Sequence, residues 1–205
     1  NLFEKLADAA VGPKAFRQKF EKLNPQLSKS MELRDSDLDA VAVRQVAARK
    51  TVRLDSRAEF RAASKNPEPN TVYEFDGFQY TTDELGRGVS SSGVLKANAG
   101  GNRFHDDYRI GHQGNKGDIG FHAGADRFGF QGGPLNVSPG NSKLNSKAYA
   151  RFEDQLAGIV SNGGTVQADF RRVFYDSNRT VRPDEYVVHY RIENGPVQTR
   201  TFLNK

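Results

Sequence analysis

Apolar positions along the chain change their period near residue 70. Before it they recur at helical spacing. Leu2, Phe3, Leu6 and Ala10 form one stripe, broken by Gly12-Pro13, and Phe16, Phe20 and Leu23 form a second, ended near Asn24-Pro25. A third helix is expected from Ser36, carrying Leu38, Val41, Ala42 and Val46. A fourth is expected from Ser56, with Glu59 three residues on at capping-box spacing. The segment Asn66-Pro67-Glu68-Pro69-Asn70 stops helix formation and reads as a linker. Beyond it the pattern is that of strands. Val72 to Phe75 and Phe78 to Thr81 flank Asp76-Gly77, a strong hairpin signal, and more strand is expected near Gly93 to Lys96. Leu144, Ala148, Phe152, Leu156 and Ile159 predict one further helix, stopped by Asn162-Gly163-Gly164. Val166 to Tyr175, Tyr186 to Ile192 and, after Asn194-Gly195, Val197 to Leu203 complete the strands.

Residues 100 to 140 fit neither period. They are crowded with glycine and carry His105, His112 and His122, three of the four histidines. A stretch this long is better read as functional than as an idle loop. The chain of 205 residues is long enough for one sizeable core and a smaller appendage. Without cysteine it has no disulfide, no thiolate metal site and no cysteine nucleophile. No apolar run is long enough to cross a membrane, so no membrane role is expected. A net charge of +5 and a pI near 9.4 are compatible with a polyanionic partner. The chain begins with Asn1 rather than Met and is expected to be a piece of a longer protein.

The chemistry suggested by this order is phosphodiester cleavage. Such a reaction needs a base to take a proton from water and a cation to neutralise charge on the phosphate. A neutral imidazole such as that of His122 suits the first task. Amide and carboxylate oxygens such as those of Asn145 and Glu153 suit a magnesium ion.

From Lys116 to Ala157 the chain reads KGDIGFHAGADRFGFQGGPLNVSPGNSKLNSKAYARFEDQLA. Asp118 to His122 match an Asp-x-Gly-x-His segment, followed by Arg127-Phe128-Gly129, Asn136-Val137-Ser138-Pro139, Leu144-Asn145 and Arg151-Phe152-Glu153. Tyr80 to Arg87, Asn102-Arg103 and Val181 to Tyr190 extend the match to roughly residues 71 to 205. With its His-x22-Asn-x7-Glu spacing, the stretch resembles the DNA/RNA non-specific endonucleases of the His-Me finger, or ββα-metal, type. It is most similar to their bacterial polymorphic-toxin branch. The departures are Phe130 and Phe121 where that family tends to have glycine, and Val137 where it has leucine. They put the shape of the loop in question.

That resemblance implies an α+β chain. A helical N-terminal segment, 1–69, serving delivery, attachment or immunity binding, would precede a nuclease domain, 70–205, built on an antiparallel sheet with a ββα-metal core. His122 would be the general base and Asn145 the direct ligand of one Mg2+ or Mn2+ ion. Glu153 would hold metal-bound water, Asn136 would orient the site, and Arg103 would steady the phosphate. Eight residues of straight helix rise about 12 Å, too far for Asn145 and Glu153 both to touch one ion unless the helix begins after Asn145 or bends. The substrate would be DNA, with RNA as a second candidate, and the products would carry 5′-phosphate. The setting implied is an antibacterial effector toxin, monomeric, secreted or delivered into a target-cell cytoplasm and blocked by a cognate immunity protein.

Each residue also has a plainer reading. Asn145 could be a helix N-cap, Glu153 a solvated charge, and Arg127 a loop brace paired with Asp126 or Asp118. His105 and His112 read as solvated loop histidines and His189 as a strand side chain. Arginines 171, 172, 179, 182, 191 and 200 could line a phosphate track, though strand alternation divides them between faces. Two competing functions are a non-catalytic nucleic-acid-binding module that retains the fold, and an adaptor effector whose helical segment carries the activity.

Overall fold

The structure, a computed structural model, describes residues 50–205. The described residues, 50–205, form one compact unit. The three helices expected before Ser56 lie outside the described residues. The unit begins with β1 (Lys50–Arg53) and α1 (Arg57–Lys65), so both belong with the sheet although they precede the 69/70 boundary expected from the prolines. Helix α1 starts as its sequence predicts. Ser56 Oγ accepts the Glu59 N–H at 3.2 Å, while the Glu59 carboxylate reaches back to the Asp55 N–H at 2.9 Å, one residue beyond a strict capping box.

Strands β2 (Thr71–Phe75), β3 (Phe78–Thr82) and β4 (Gly88–Val94) follow. Asp76 and Gly77 both have positive φ, 51° and 82°, as a two-residue turn between twisted strands requires. Strand β4 begins at Gly88 rather than near Gly93. Its serines hide the alternation, and the ladders it makes with strands on both sides hold it extended. The chain then leaves the sheet. It forms α2 (Asp107–Gly111), β5 (Asp118–His122), a 3-10 turn (Asp126–Phe128), β6 (Val137–Asn141), a single turn α3 (Ser142–Leu144), a π turn (Asn145–Tyr149) and α4 (Ala150–Ser161). Strands β7 (Val166–Val173), β8 (Glu185–Ile192) and β9 (Gln198–Leu203) return to the sheet.

The result is a seven-stranded sheet in the order β1-β2-β3-β4-β7-β8-β9, antiparallel except where β1 meets β2. Strands β5 and β6 pair separately, with His122 opposite Val137, and run into the helical segment. This is the expected α+β architecture with a ββα core.

Alternate residues of β7 and β8 are buried, so the sheet covers its core with one face. Phe60 of α1 packs edge-on against Tyr80, Phe130 against Phe170, and Phe121 stacks on Tyr186 at 4.1 Å. Alternation removes Arg172 from the expected phosphate track, and ion pairs engage two more of its arginines. Arg172 takes an inward position, where it donates to the Leu135 carbonyl at 2.5 Å, and burial pushes its guanidinium down to about 10. Arg182 is turned to the hairpin, 2.6 Å from the buried Asp118 carboxylate, and Arg179 pairs with Glu84. No helix among the described residues is long and apolar enough to cross a membrane.

Removing one partner of a buried ion pair leaves an uncompensated charge. Arg182→Ala is therefore expected to cost about 3 kcal/mol in a urea titration, by the usual size of that penalty. Arg179→Ala, whose pair with Glu84 is exposed, should cost less than about 1 kcal/mol. Equal costs would refute the structural weight given to the Asp118 pair.

Candidate active site

His122 ends β5 and is 8% exposed. Its Nε2 lies 3.3 Å from Oδ2 of Asp107, the first residue of α2. The same oxygen accepts the Phe104 N–H at 2.9 Å, and Oδ1 accepts the Gly133 N–H at 2.7 Å. Helix and strand can meet this closely because no side chain separates them. A Cβ on Gly120 would collide with the Asp107 carbonyl, and one on Gly111 with the Ile119 backbone. Burial pushes the Asp107 carboxyl up. The hydrogen bond to His122 and the two backbone donors outweigh that effect and leave it below its ordinary value.

The pairing fixes how the imidazole is protonated. A lone pair on Nε2 would face carboxylate oxygen, so Nε2 carries the proton and donates it to Asp107. Nδ1 is then a bare acceptor. It is buried and has no hydrogen-bond partner among the described residues.

The loop after His122 is clamped. Asn136, fully buried, accepts the Gly124 N–H at 2.9 Å and donates to the carbonyls of Gly124 and Gln131, each at 2.8 Å. Tyr149, at the end of the π turn, donates its hydroxyl to the Ala123 carbonyl at 2.5 Å.

Asn145 does not begin the helix. That position belongs to Asn141, whose side chain accepts the Leu144 N–H at 3.0 Å. The reason is visible locally: Asn141 ends β6 in an extended conformation, and helical geometry starts at Ser142. Asn145 sits four residues further on, half-buried in the π turn, and its side chain makes no hydrogen bond among the described residues. The straight-helix distance from Asn145 to Glu153 therefore does not apply, because the π turn interrupts the helix between them.

Glu153 and Arg103 share a cleft of about 410 Å³ with Lys96, Asp126 and Arg127. His122, Asn136 and Asn145 do not line it. Glu153 is half-buried rather than a solvated charge, and burial pushes its carboxyl up to about 7 against the pull of Arg127 and Arg103. Arg103 is 69% exposed and lies 3.7 Å from Asp126. Arg127 pairs with Asp154 at 2.7 Å, not with Asp126 or Asp118. His105 and His112 are exposed, and His189 on β8 bonds Thr199.

Sequence reasoning missed Asp107. It lies fifteen positions before His122, and no motif spacing links them. The only available signal was an acidic pair, Asp106-Asp107, opening a short helix in the histidine-rich stretch.

The family model for DNA/RNA non-specific endonucleases matches residues 69–194. The chain belongs to that family. It is thus a nuclease, and nucleic acid is its substrate class. No curated protein sequence matches it significantly. Among solved structures, NucA from Streptococcus agalactiae with a magnesium ion bound is 13% identical, with a TM-score of 0.48 over 74% of this chain and 90% of that one. Sda1 nuclease with a bound zinc ion is 13% identical, with a TM-score of 0.49 over 71% of this chain and 80% of that one. An extracellular nuclease is 14% identical, with a TM-score of 0.44 over 67% and 91%.

Glu153 gives a signed pH dependence for the metal-free nuclease. Between its ordinary value of 4.5 and about 7 the native protein keeps a proton that the unfolded chain releases. Stability contributed by this group therefore falls as pH rises through that window. Urea midpoints taken from pH 4.5 to 7.5 should fall less steeply in Glu153→Gln than in wild type. Parallel slopes would show that Glu153 titrates normally.

Proposed function

We propose that this nuclease is a metal-dependent, non-specific endonuclease in which His122 takes a proton from the attacking water. The observation that carries this reading is the bare, buried Nδ1 of His122 beside a carboxylate that holds Nε2. A buried acceptor without a donor costs roughly 1–3 kcal/mol, a cost relieved once a donor reaches Nδ1. In this reading a water that reaches Nδ1 as substrate binds is deprotonated by the imidazole while its oxygen attacks phosphorus. Asp107 then faces an imidazolium and stabilises it without itself taking the proton.

The donor chemistry of the remaining residues is compatible with a hydrated hard cation. Among the described residues no cluster of three or more histidine or acidic side chains could cage a metal. The donors available are the unpartnered amide of Asn145 and the Glu153 carboxyl. Few protein ligands, all hard oxygen, suit an ion that keeps much of its water, such as Mg2+ or Mn2+. Asn145 would hold it directly and Glu153 through water. When bound, the ion neutralises charge on the phosphate and the leaving oxygen. Arg103, on the cleft wall, is exposed enough to meet a phosphate, and Asn136 keeps the loop behind His122 in place. DNA is the substrate we favour, with RNA also accepted, and the products carry 5′-phosphate. The toxin-branch motif supports a further reading, as an antibacterial effector acting in a target cell and neutralised by an immunity protein.

His122→Ala is expected to abolish plasmid cleavage while circular dichroism shows the fold retained, with a lowered melt because the buried Asp107 loses one of its donors, and chelation should abolish cleavage reversibly. Asp107→Asn keeps the size of the side chain but no longer enforces the tautomer. Its kcat should fall about 100-fold or more with KM little changed. Cleavage by His122→Ala at the wild-type rate would refute the mechanism. A rise in KM with kcat retained in Asp107→Asn would reduce Asp107 to a packing role.

A further inference from the structure

Helix α2 turns two faces in opposite directions. Asp107, Ile110 and Gly111 are buried against the catalytic strand. His105, Tyr108, Arg109 and His112 are exposed. Tyr108 is 53% exposed, unusual for a large aromatic ring, and is held in place rather than loose. The His105 ring stands edge-on to it at 6.4 Å between centres, and the His112 ring edge-on at 5.9 Å. The Arg109 guanidinium lies 5.7 Å from the ring centre, and its Nε donates to the Tyr108 hydroxyl at 3.1 Å. Ordering side chains at a surface costs rotamer entropy. Here three rings and a guanidinium are ordered around one another and still leave ring surface open.

We propose that this exposed face of α2 is a stacking platform for an unpaired nucleobase of the substrate strand. The inference rests on the nuclease reading above and names a contact beyond the scissile phosphate. Three observations converge on that occupant. An exposed aromatic flanked by cationic and titratable rings is the surface that a base, with a π-face on one side and a phosphate on the next link, can use. The cation at Arg109 matches that phosphate in charge. The platform is also carried on the same short helix as Asp107, whose carboxylate holds His122, and α2 rests on the β5 backbone with only glycine between. A base stacked on Tyr108, on the outer side of that helix, therefore ties the strand to an element fixed relative to His122. Every base has a π-face, so such a contact orders the strand without reading its sequence, and it favours single-stranded over paired nucleic acid.

The test is fluorescence-anisotropy binding of the whole chain, in chelator, to a short oligothymidylate and to an abasic strand of equal length. Wild type is expected to prefer the base-bearing strand about tenfold. Tyr108→Ala should bind both strands equally, with an unchanged salt slope because phosphate contacts remain. Tyr108→Phe should keep the preference. Equal binding of the two strands by wild type, or an undiminished preference in Tyr108→Ala, would overturn the platform even if the same preparation cuts plasmid. A Tyr108-dependent preference in a preparation that cuts nothing would leave the platform standing and defeat the hydrolytic reading.

Discussion

A carboxylate placed out of water must be met by donors, and at Asp107 those donors come from three separate stretches of chain. Phe104 brings the approach to α2, Gly133 the loop ahead of β6, and His122 the end of β5. Satisfying one charge thus sets the mutual position of the helix, the loop and the strand that carries His122. The loop is pinned from its other sides as well. The Tyr80 hydroxyl accepts the Gln131 N–H, Ser64 accepts the Leu135 N–H, and Arg172 donates to the Leu135 carbonyl. Each of these partners is buried and each comes from the sheet or α1. An irregular loop inside a core survives because its backbone groups are answered this way.

The two phenylalanines that depart from the family pattern show how the same constraint absorbs change. Phe121 is fully buried, and its side chain takes the space that a Cβ on Gly140, diagonally placed on β6, would need. Phe130 is also fully buried, wedged near Phe78 and Phe170, and its ring fills the space a side chain on Gly124 would need. Each added ring is thus matched by a glycine on the opposing backbone. The loop keeps its close packing and His122 keeps its exit from β5. Glycine at these two positions leaves the room the rings need, and the packing around His122 stays close.

Much of this was legible in the chain. Ser56 with Glu59, Asp76-Gly77 and the alternating β7 and β8 act through neighbours in sequence, and each formed as read. Strand β4 was legible only in part, since Ser90, Ser91 and Ser92 owe their extended form to ladders with distant strands. The spacing of His122, Asn145 and Glu153 was visible as a motif, but the partner that sets the imidazole tautomer was not. Asp107 reaches His122 through a glycine-only contact between a helix and a strand, and no local pattern encodes a missing Cβ. Arg172 misled for the related reason that alternation tells which face a residue takes, not whether that face is wet.

The π turn explains why Asn145 can be a ligand at all. In an uninterrupted helix from Ser142, Asn145 would fall on the stripe of Tyr149, Phe152, Leu156 and Val160, all of which are buried. Its amide would then face aromatic rings and lack partners, a costly arrangement. A π turn accommodates one extra residue and so shifts the phase of what precedes it by roughly 100°. Tyr149 stays turned inward, bonded to the Ala123 carbonyl beside His122, while Asn145 is carried off the stripe and left half-buried. The irregular turn thus separates two jobs that a regular helix would force onto one face. Tyr149 locks the helix to the chain just beyond β5, and Asn145 keeps an oxygen available for the cation role proposed for it.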